Sequence, residues 1–358
     1  MQPSRMMQSS RSRQPTVLIV GGGVAGMQAA KVAAERGFSV KLYERQRELG
    51  GQINLLVRVP NRVEFGDVSR NLQHEILRFA QDDKMTGQDD KMTGQDDKMT
   101  EIDDKKVGRD DRKTGLDDSK RGQNDRKVGQ NDRKVGQDDG EGRIEVHLGV
   151  EVTTEMVERE QPDAVIIATG SLPLLPPIPG SELPHVATIW QVIQGEKTAQ
   201  PGEYVLVYDQ LGFHQATGTA ELLAEKGCKV EFVTPQFFVG GDLSVTLDIE
   251  LWYRRALAKG MQLTADHFLS SLGPNSATII NNYTGQPRQL ENVALAVLVT
   301  TQAANDVLYH QLQGKVKQLY RIGDCVAPRR VENAILDGER AARALNMQLA
   351  EVRVPTPI

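Results

Sequence analysis

The stretch Thr16-Val17-Leu18-Ile19-Val20-Gly21-Gly22-Gly23-Val24-Ala25-Gly26 decides the reading of this chain. An apolar run, read as a strand, passes directly into Gly-x-Gly-x-x-Gly and then into a helical pattern over 27–36. Glu44 ends the next apolar run. Strand, glycines, helix and acid in this order form a dinucleotide-binding fingerprint. Gly21 permits the tight strand-to-helix turn, Gly23 lets backbone approach a pyrophosphate, and Gly26 lets helix and strand pack closely. Glu44 is placed to accept from a ribose hydroxyl. The phosphates belong at the helix N-terminus, near Val24 and Ala25, where backbone N–H groups lack intrahelical partners.

The length of 358 residues allows about two domains. A net charge of −5 gives no footprint for nucleic acid. No apolar run approaches the roughly 18 residues of a membrane helix. Residues 1–15 are polar and do not read as a secretory signal. Cys228 and Cys325 make no CxxC and no zinc or iron–sulfur spacing, which reads as two reduced thiols in a cytoplasmic protein. His74, His147, His185, His267 and His310 are scattered without catalytic partners. Trp190 and Trp252 read as packing residues rather than flavin stackers, and His214, at a helix start, reads as a polar cap or surface residue ahead of a phosphate or ligand contact.

Residues 81–140 are a seven-residue repeat: Gln-Asp-Asp-Lys-Met-Thr starts at Gln81, Gln88 and Gln95, and related units start at Gly108, Gly115, Gly122 and Gly129. The period suggests a coiled coil, but each unit lacks the two apolar seam positions and carries a helix-disfavouring glycine. Its mixed charge and few apolar residues predict a disordered insertion in a surface turn. Joining 74–80 to 144–149 restores a helix, a turn and a strand.

Three further pieces follow. Gly50-Gly51-Gln52 comes shortly after Glu44 and Arg45. A buried-type strand over 163–167 ends in Ala168-Thr169-Gly170. Near the C-terminus a strand ends in Gly323-Asp324, and a helical pattern covers 331–345. This series resembles the nucleotide half of flavoproteins built from two dinucleotide domains. More narrowly, Glu48-Leu49-Gly50-Gly51-Gln52 with Val59-Pro60-Asn61-Arg62-Val63-Glu64-Phe65 resembles the C-terminal half of the 2,4-dienoyl-CoA reductase and trimethylamine dehydrogenase (NADH:flavin oxidoreductase) family. The run Arg321-Ile322-Gly323-Asp324-Cys325-Val326-Ala327-Pro328-Arg329-Arg330 is similar to its amine-dehydrogenase and N-methyl-amino-acid demethylase branch.

The resemblance implies FAD, with Gly21, Gly23, Val24, Ala25, Gly26, Glu44 and Arg45 at the adenosine and pyrophosphate end. Gly51, Gln52, Ala168, Thr169, Gly170, Gly323 and Asp324 would flank the flavin, Asp324 reaching a ribityl hydroxyl. Family members carry an N-terminal flavin-mononucleotide (FMN) barrel and a four-cysteine cluster, which this sequence lacks. The resemblance therefore implies an FAD-dependent oxidoreductase or electron-transfer component working with a separate FMN-barrel partner. A non-catalytic ADP-binding module and a truncated remnant are the alternatives.

A second dinucleotide-type strand over 202–208 is followed by Asp209, Leu211 and His214 where the glycines would stand, with Gly212 out of register, and by a helical pattern over 217–226. Leu211 obstructs backbone approach and Asp209 repels a pyrophosphate, which argues against NAD(P)H there. The expected fold is two doubly wound Rossmann-like α/β domains, the first interrupted by the second. Residues 16–192 and 320–350 form the FAD or ADP domain, and 193–319 form the degenerate one.

Overall fold

Thr16–Val20 is apolar on both sides because both faces of its strand are covered. Val17 and Ile19 belong to one buried cluster, and Leu18 and Val20 to another. Such a run suits the centre of a parallel sheet with helices on either side. The structure is a computed structural model that describes residues 13–80 and 142–346. The expected disorder of 81–140 lies outside the described residues.

In chain order the elements begin β1 (Thr16–Val20), α1 (Val24–Glu35), β2 (Ser39–Glu44), α2 (Ile53–Leu56) and α3 (Gly66–Leu77). After the undescribed segment come β3 (Arg143–Leu148), α4 (Thr154–Glu160), β4 (Ala164–Ile167), β5 (Ser171–Pro173), β6 (Val186–Thr188) and α5 (Ile189–Gln194). Next are β7 (Tyr204–Asp209), α6 (His214–Glu225), β8 (Lys229–Val233), α7 (Ile249–Ala258) and β9 (Gln262–Thr264). The chain continues through β10 (His267–Gly273), β11 (Ser276–Asn281), β12 (Pro287–Glu291), β13 (Val293–Val299) and β14 (Gln302–Ala304). It closes with α8 (Val307–Leu312), β15 (Leu319–Arg321) and α9 (Val331–Ala344).

Two parallel five-stranded sheets result, ordered β15-β4-β1-β2-β3 and β6-β13-β7-β8-β9. In each, the chain reverses direction beside the first strand of a β-α-β unit, which opens a crevice at the carboxyl ends of the strands. The doubly wound α/β reading is thus borne out. The chain leaves the first sheet and returns to it through β5 and β14, which pair antiparallel.

Helix α1 is rich in alanine, and Ala29, Ala30, Ala33 and Ala34 are buried. Small side chains let α9 approach closely: a Cβ on Gly338 of α9 would lie 2.5 Å from the Ala25 carbonyl oxygen. In the second sheet, Val205 and Val207 face α6 and Trp252, whereas Leu206 and Tyr208 face Leu269 and Ile279 of the β10–β12 meander. Trp252 is 1 % exposed, packs edge-on to Phe232 and Tyr253, and donates Nε1–H to the Thr217 carbonyl at 3.2 Å. Trp252→Ala is expected to cost about 3–5 kcal/mol through cavity formation, measured by urea unfolding. A loss within error of zero would show that this core collapses freely around the gap.

Candidate functional site

The loop between β1 and α1 is shaped by its glycines. Gly21 has φ +110°, and a Cβ there would lie 2.2 Å from the Ala168 carbonyl oxygen. A Cβ on Gly26 would lie 1.9 Å from the Gly21 carbonyl oxygen. Gly23 differs: an added Cβ meets no atom within 4 Å. Its open side is the room a pyrophosphate would fill at the start of α1. Gly50 donates its N–H to the Gly22 carbonyl at 2.9 Å, and Gly51 lies against Gly23. The double glycine therefore holds a second backbone segment against the fingerprint loop.

Glu44 is buried at the end of β2. Its carboxylate accepts from the N–H of Gly22 at 2.7 Å and of Gln46 at 2.8 Å. These bonds fix its direction and leave acceptor capacity for a ribose hydroxyl, since a carboxylate offers about four lone-pair sites. Arg45 is exposed beside it.

At the other end of the crevice the structure brings four distant segments together. Gln52 donates Nε2–H to Ser171 Oγ at 2.9 Å and to Asp324 Oδ2 at 3.1 Å. Ser171 Oγ in turn donates to Gln302 Oε1 and lies 3.3 Å from Asp324 Oδ2. The N–H of Arg329 donates to Asp324 Oδ1 at 3.0 Å. Thr169 Oγ1 donates to the Asn305 carbonyl, and the Asn305 N–H returns to the Gly170 carbonyl at 3.0 Å. Burial pushes the Cys325 thiol up, which keeps it protonated and unreactive beside Thr169.

One cleft of about 1460 Å³ runs along this line. Gly21, Gly23, Val24, Ala25, Glu44, Arg45, Gly51, Gln52, Ala168, Thr169, Gly170 and Asp324 all border it. Gly26 and Gly323 act instead as packing glycines: a Cβ on Gly323 would lie 2.9 Å from the Ala25 side chain. Ser171, Gln302, Asn305, Arg58, Phe65 and Trp190 also border the cleft, and the sequence reading did not select them as ligands. Ser171 directly follows Ala-Thr-Gly, a local signal. Gln302 carried none, because its place depends on β14 pairing with a strand 131 residues away.

The second sheet presents its own loop to the same cleft, and there the geometry differs. Asp209 is wholly buried, and its carboxylate accepts from the N–H of Leu211 at 2.8 Å and of Gly212 at 2.9 Å. The chain's own acid thus occupies the loop donors that a pyrophosphate would use. Burial, with Asp242 nearby, pushes Asp209 up to about 7 against the pull of those two donors. Two corrections follow for this region. Helix α6 starts at His214, one turn before the expected 217. His214 is 2 % exposed and packs against Phe65 and Phe213, so it is neither a surface residue nor a side-chain cap. Phe65, from the first part of the chain, supplies the burial.

Among the described residues no cluster of three or more His, Cys, Asp or Glu side chains is arranged to hold a metal. None of their helices is long and apolar enough to cross a membrane.

A parallel sheet, a glycine turn with an open pyrophosphate cradle, a fixed acid at the ribose position and a polar cluster at the far end define a dinucleotide-binding oxidoreductase fold. The chain belongs to the pyridine nucleotide-disulphide oxidoreductase family, whose family model matches residues 15–207. It is 25 % identical to N,N-dimethylglycine/sarcosine dehydrogenase of Chromohalobacter salexigens over 91 % of this chain and 43 % of that protein. It is 26 % identical to a probable N-methylproline demethylase of Rhizobium meliloti over 90 % of this chain and 42 % of that protein. The fold matches histamine dehydrogenase from Rhizobium sp. 4-9 with a TM-score of 0.72 at 21 % identity, covering 97 % of this chain and 46 % of that one. The chain thus spans about two fifths of the length of the curated relatives it matches. The resemblance read from Gly50-Gly51-Gln52 and Arg321–Arg330 is borne out: the chain is related to amine and N-methyl-amino-acid dehydrogenases.

Proposed function

We propose that this chain is the FAD-binding electron-transfer portion of an amine- or N-methylamine-oxidising flavoenzyme, with 16–192 and 320–350 as its cofactor domain. The observation that supports FAD over ADP is the polar cluster of Gln52, Ser171, Gln302 and Asp324 at the end of the cleft away from the fingerprint. ADP needs only the loop and Glu44. A cluster drawn from four distant segments serves a ligand long enough to reach it. The residues present fit such a ligand: the Gly23 cradle takes the pyrophosphate, Glu44 the ribose, and Gln52 and Asp324 the ribityl and ring end.

Bound FAD would supply reversible uptake of electrons, as flavins do. The chain supplies position and electrostatics. Gln52 offers N–H donors, while Asp324 is held in place by the Arg329 amide. The start of α9 and Arg330 border the same cleft and favour negative charge at its ring end. NAD(P)H at the second sheet does not fit the residues there, because Asp209 has taken the loop amides. Electrons would then arrive from a partner. An FMN-barrel partner suits a chain that spans two fifths of its relatives.

The test is an absorbance spectrum of the purified protein with chromatography of heat-released nucleotide, followed by FAD and ADP titrations of the stripped protein. Flavin bands and released FAD are expected. Gln52→Ala and Asp324→Ala are each expected to weaken FAD about tenfold or more, at roughly 1–3 kcal/mol per lost polar contact, and to leave ADP affinity unchanged. Colourless protein releasing ADP, or equal losses for both ligands, would overturn the FAD reading.

A further inference from the structure

The covalent crossing between the two sheets is slight. β5 leads out, β14 leads back, and these three-residue strands pair antiparallel. Bodies joined by so small a crossing move against each other unless a further contact holds them. Residues 59–65, between α2 and α3, make that contact. The loop belongs to the part of the chain that forms the first sheet, yet its anchoring side chains end on α6 and on the residue before α7.

Val59 is buried, and a Cβ on Gly218 of α6 would lie 2.7 Å from its Cγ2, so loop and helix touch where glycine leaves room. Asn61 holds a left-handed turn at φ +58° and donates Nδ2–H to Glu221 Oε1 at 3.3 Å. Glu221 is buried in α6 and also accepts from Arg255 at 2.8 Å and Lys259 at 2.7 Å, so Asn61 meets a fixed acceptor. Arg62 is buried too. Its guanidinium donates to the Asn61 carbonyl at 2.6 Å and lies 3.6 Å from Asp248 Oδ2. A buried cation needs a fixed counter-charge, and Asp248 supplies it from the other body. Phe65 lies tilted against the His214 ring at 5.9 Å. Arg330, just before α9, adds a parallel link: it lies over the Phe213 ring at 4.8 Å and pairs with Asp242 at 3.4 Å.

The cleft reaches both places. Gly170, Ser171 and Gln302 border it at the crossing, and Val59, Phe65 and His214 border it at the loop. Asp209 already holds the Leu211 and Gly212 amides, so the second body keeps no loop donors for a nucleotide of its own. What it offers the first site is a wall. We propose that 59–65 is a latch that fastens this wall. It holds the second body against the first at a point separate from the β5–β14 hinge, keeps the cleft at one width, and must open before a long ligand leaves.

The experiment uses the full chain with the dinucleotide it carries. A Cβ on Gly218 would lie 3.1 Å from the Val59 Cβ, close to the roughly 3.5–4.5 Å of a disulfide, so Val59→Cys with Gly218→Cys can pin the latch. Cys228 and Cys325 are free and buried. Mild oxidation is expected to remove the two introduced thiols, counted by mass after alkylation in denaturant, in loaded and stripped protein alike. Arg62→Ala is expected to release the dinucleotide about tenfold faster than the parent, the effect of one lost charge-assisted contact. Pinning Arg62→Ala with the same cysteines should restore the parent's rate, and reduction should undo this. A damaged dinucleotide site would stay leaky with the latch pinned. No cross-link, unchanged release in Arg62→Ala, or fast release after cross-linking would overturn the proposal. If Arg62→Ala does not fold, the cysteine pair in the parent decides: slower release when oxidised supports the latch, and equal rates overturn it. The release measurement rests on a dinucleotide filling the cleft, as proposed above, whereas cross-linking of the stripped protein does not. A parent without nucleotide would sink that reading, and the thiol count would still decide the latch.

Discussion

Gly23→Leu will strip the protein of its dinucleotide and leave its fold standing. Gly23 has φ −73° and ψ −179°, a conformation any residue adopts, so the substitution strains nothing in the backbone. A Cβ at this position touches no atom within 4 Å. The new side chain therefore occupies only the space that a pyrophosphate needs, and the expected loss of affinity is about a thousandfold or more, on the order of 4 kcal/mol. The unliganded variant should melt within a few degrees of the unliganded parent. Gly26→Leu provides the contrast. Its Cβ would lie 1.9 Å from the Gly21 carbonyl oxygen and 3.3 Å from the Ala168 side chain, so α1 must leave β1. That variant is expected to lose about 3 kcal/mol or more of stability, the upper range for overpacking. Nucleotide content after gel filtration and urea unfolding of the stripped proteins separate the two. Retention of nucleotide by Gly23→Leu would mean that the ligand lies elsewhere in the cleft.

The same two glycines show why the first half of the fold was legible. Positions 16–26 and Glu44 form a local pattern: strand, turn, helix start and acid are each specified by neighbours in sequence. The sheet residues 163–167 and the Gly323-Asp324 turn are similarly self-announcing, because a strand covered on both faces is continuously apolar. What the pattern left out depends on long-range partners. Ser171 and Gln302 meet only because β5 and β14 pair. The β10–β12 meander alternates weakly, with Leu269 and Ile279 buried but Phe268 exposed, and no single motif marks it. His214 shows the limit most clearly. From sequence it is one polar residue near a helix start. Its burial comes from Phe65, some 150 residues away, and from its neighbour Phe213. Asp209 was legible as an obstacle to a pyrophosphate, but not as the group that replaces it on the loop amides.

Asp209 and His214 should also give the protein a pH dependence whose two halves oppose each other. Asp209 rises from its ordinary 3.8 to about 7 because burial, with Asp242 nearby, disfavours its charge. Between about pH 4 and 7 the folded chain holds this proton while the unfolded chain has released it. Asp209 therefore makes stability fall as pH rises through that window. His214 moves down from 6.5 to about 4, through burial first and then the nearby Arg62 and Arg330, against the pull of Asp248. Between about pH 6.5 and 4 the unfolded chain takes up a proton that the folded imidazole refuses, so His214 makes stability fall as pH drops. The windows overlap and the slopes have opposite sign, so the parent's contribution from this pair is nearly flat between pH 4 and 6.5. Removing one partner exposes the other. Asp209→Asn is expected to lose stability on acidification more steeply than the parent, by on the order of 3 kcal/mol from pH 7 to 4 at about 1.4 kcal/mol per pKa unit. His214→Gln is expected to do the reverse and gain on the parent over the same range. Urea unfolding at half-unit pH steps reads both curves. Parallel profiles for the two variants would mean that neither group stays buried in solution, and that the second loop opens to water.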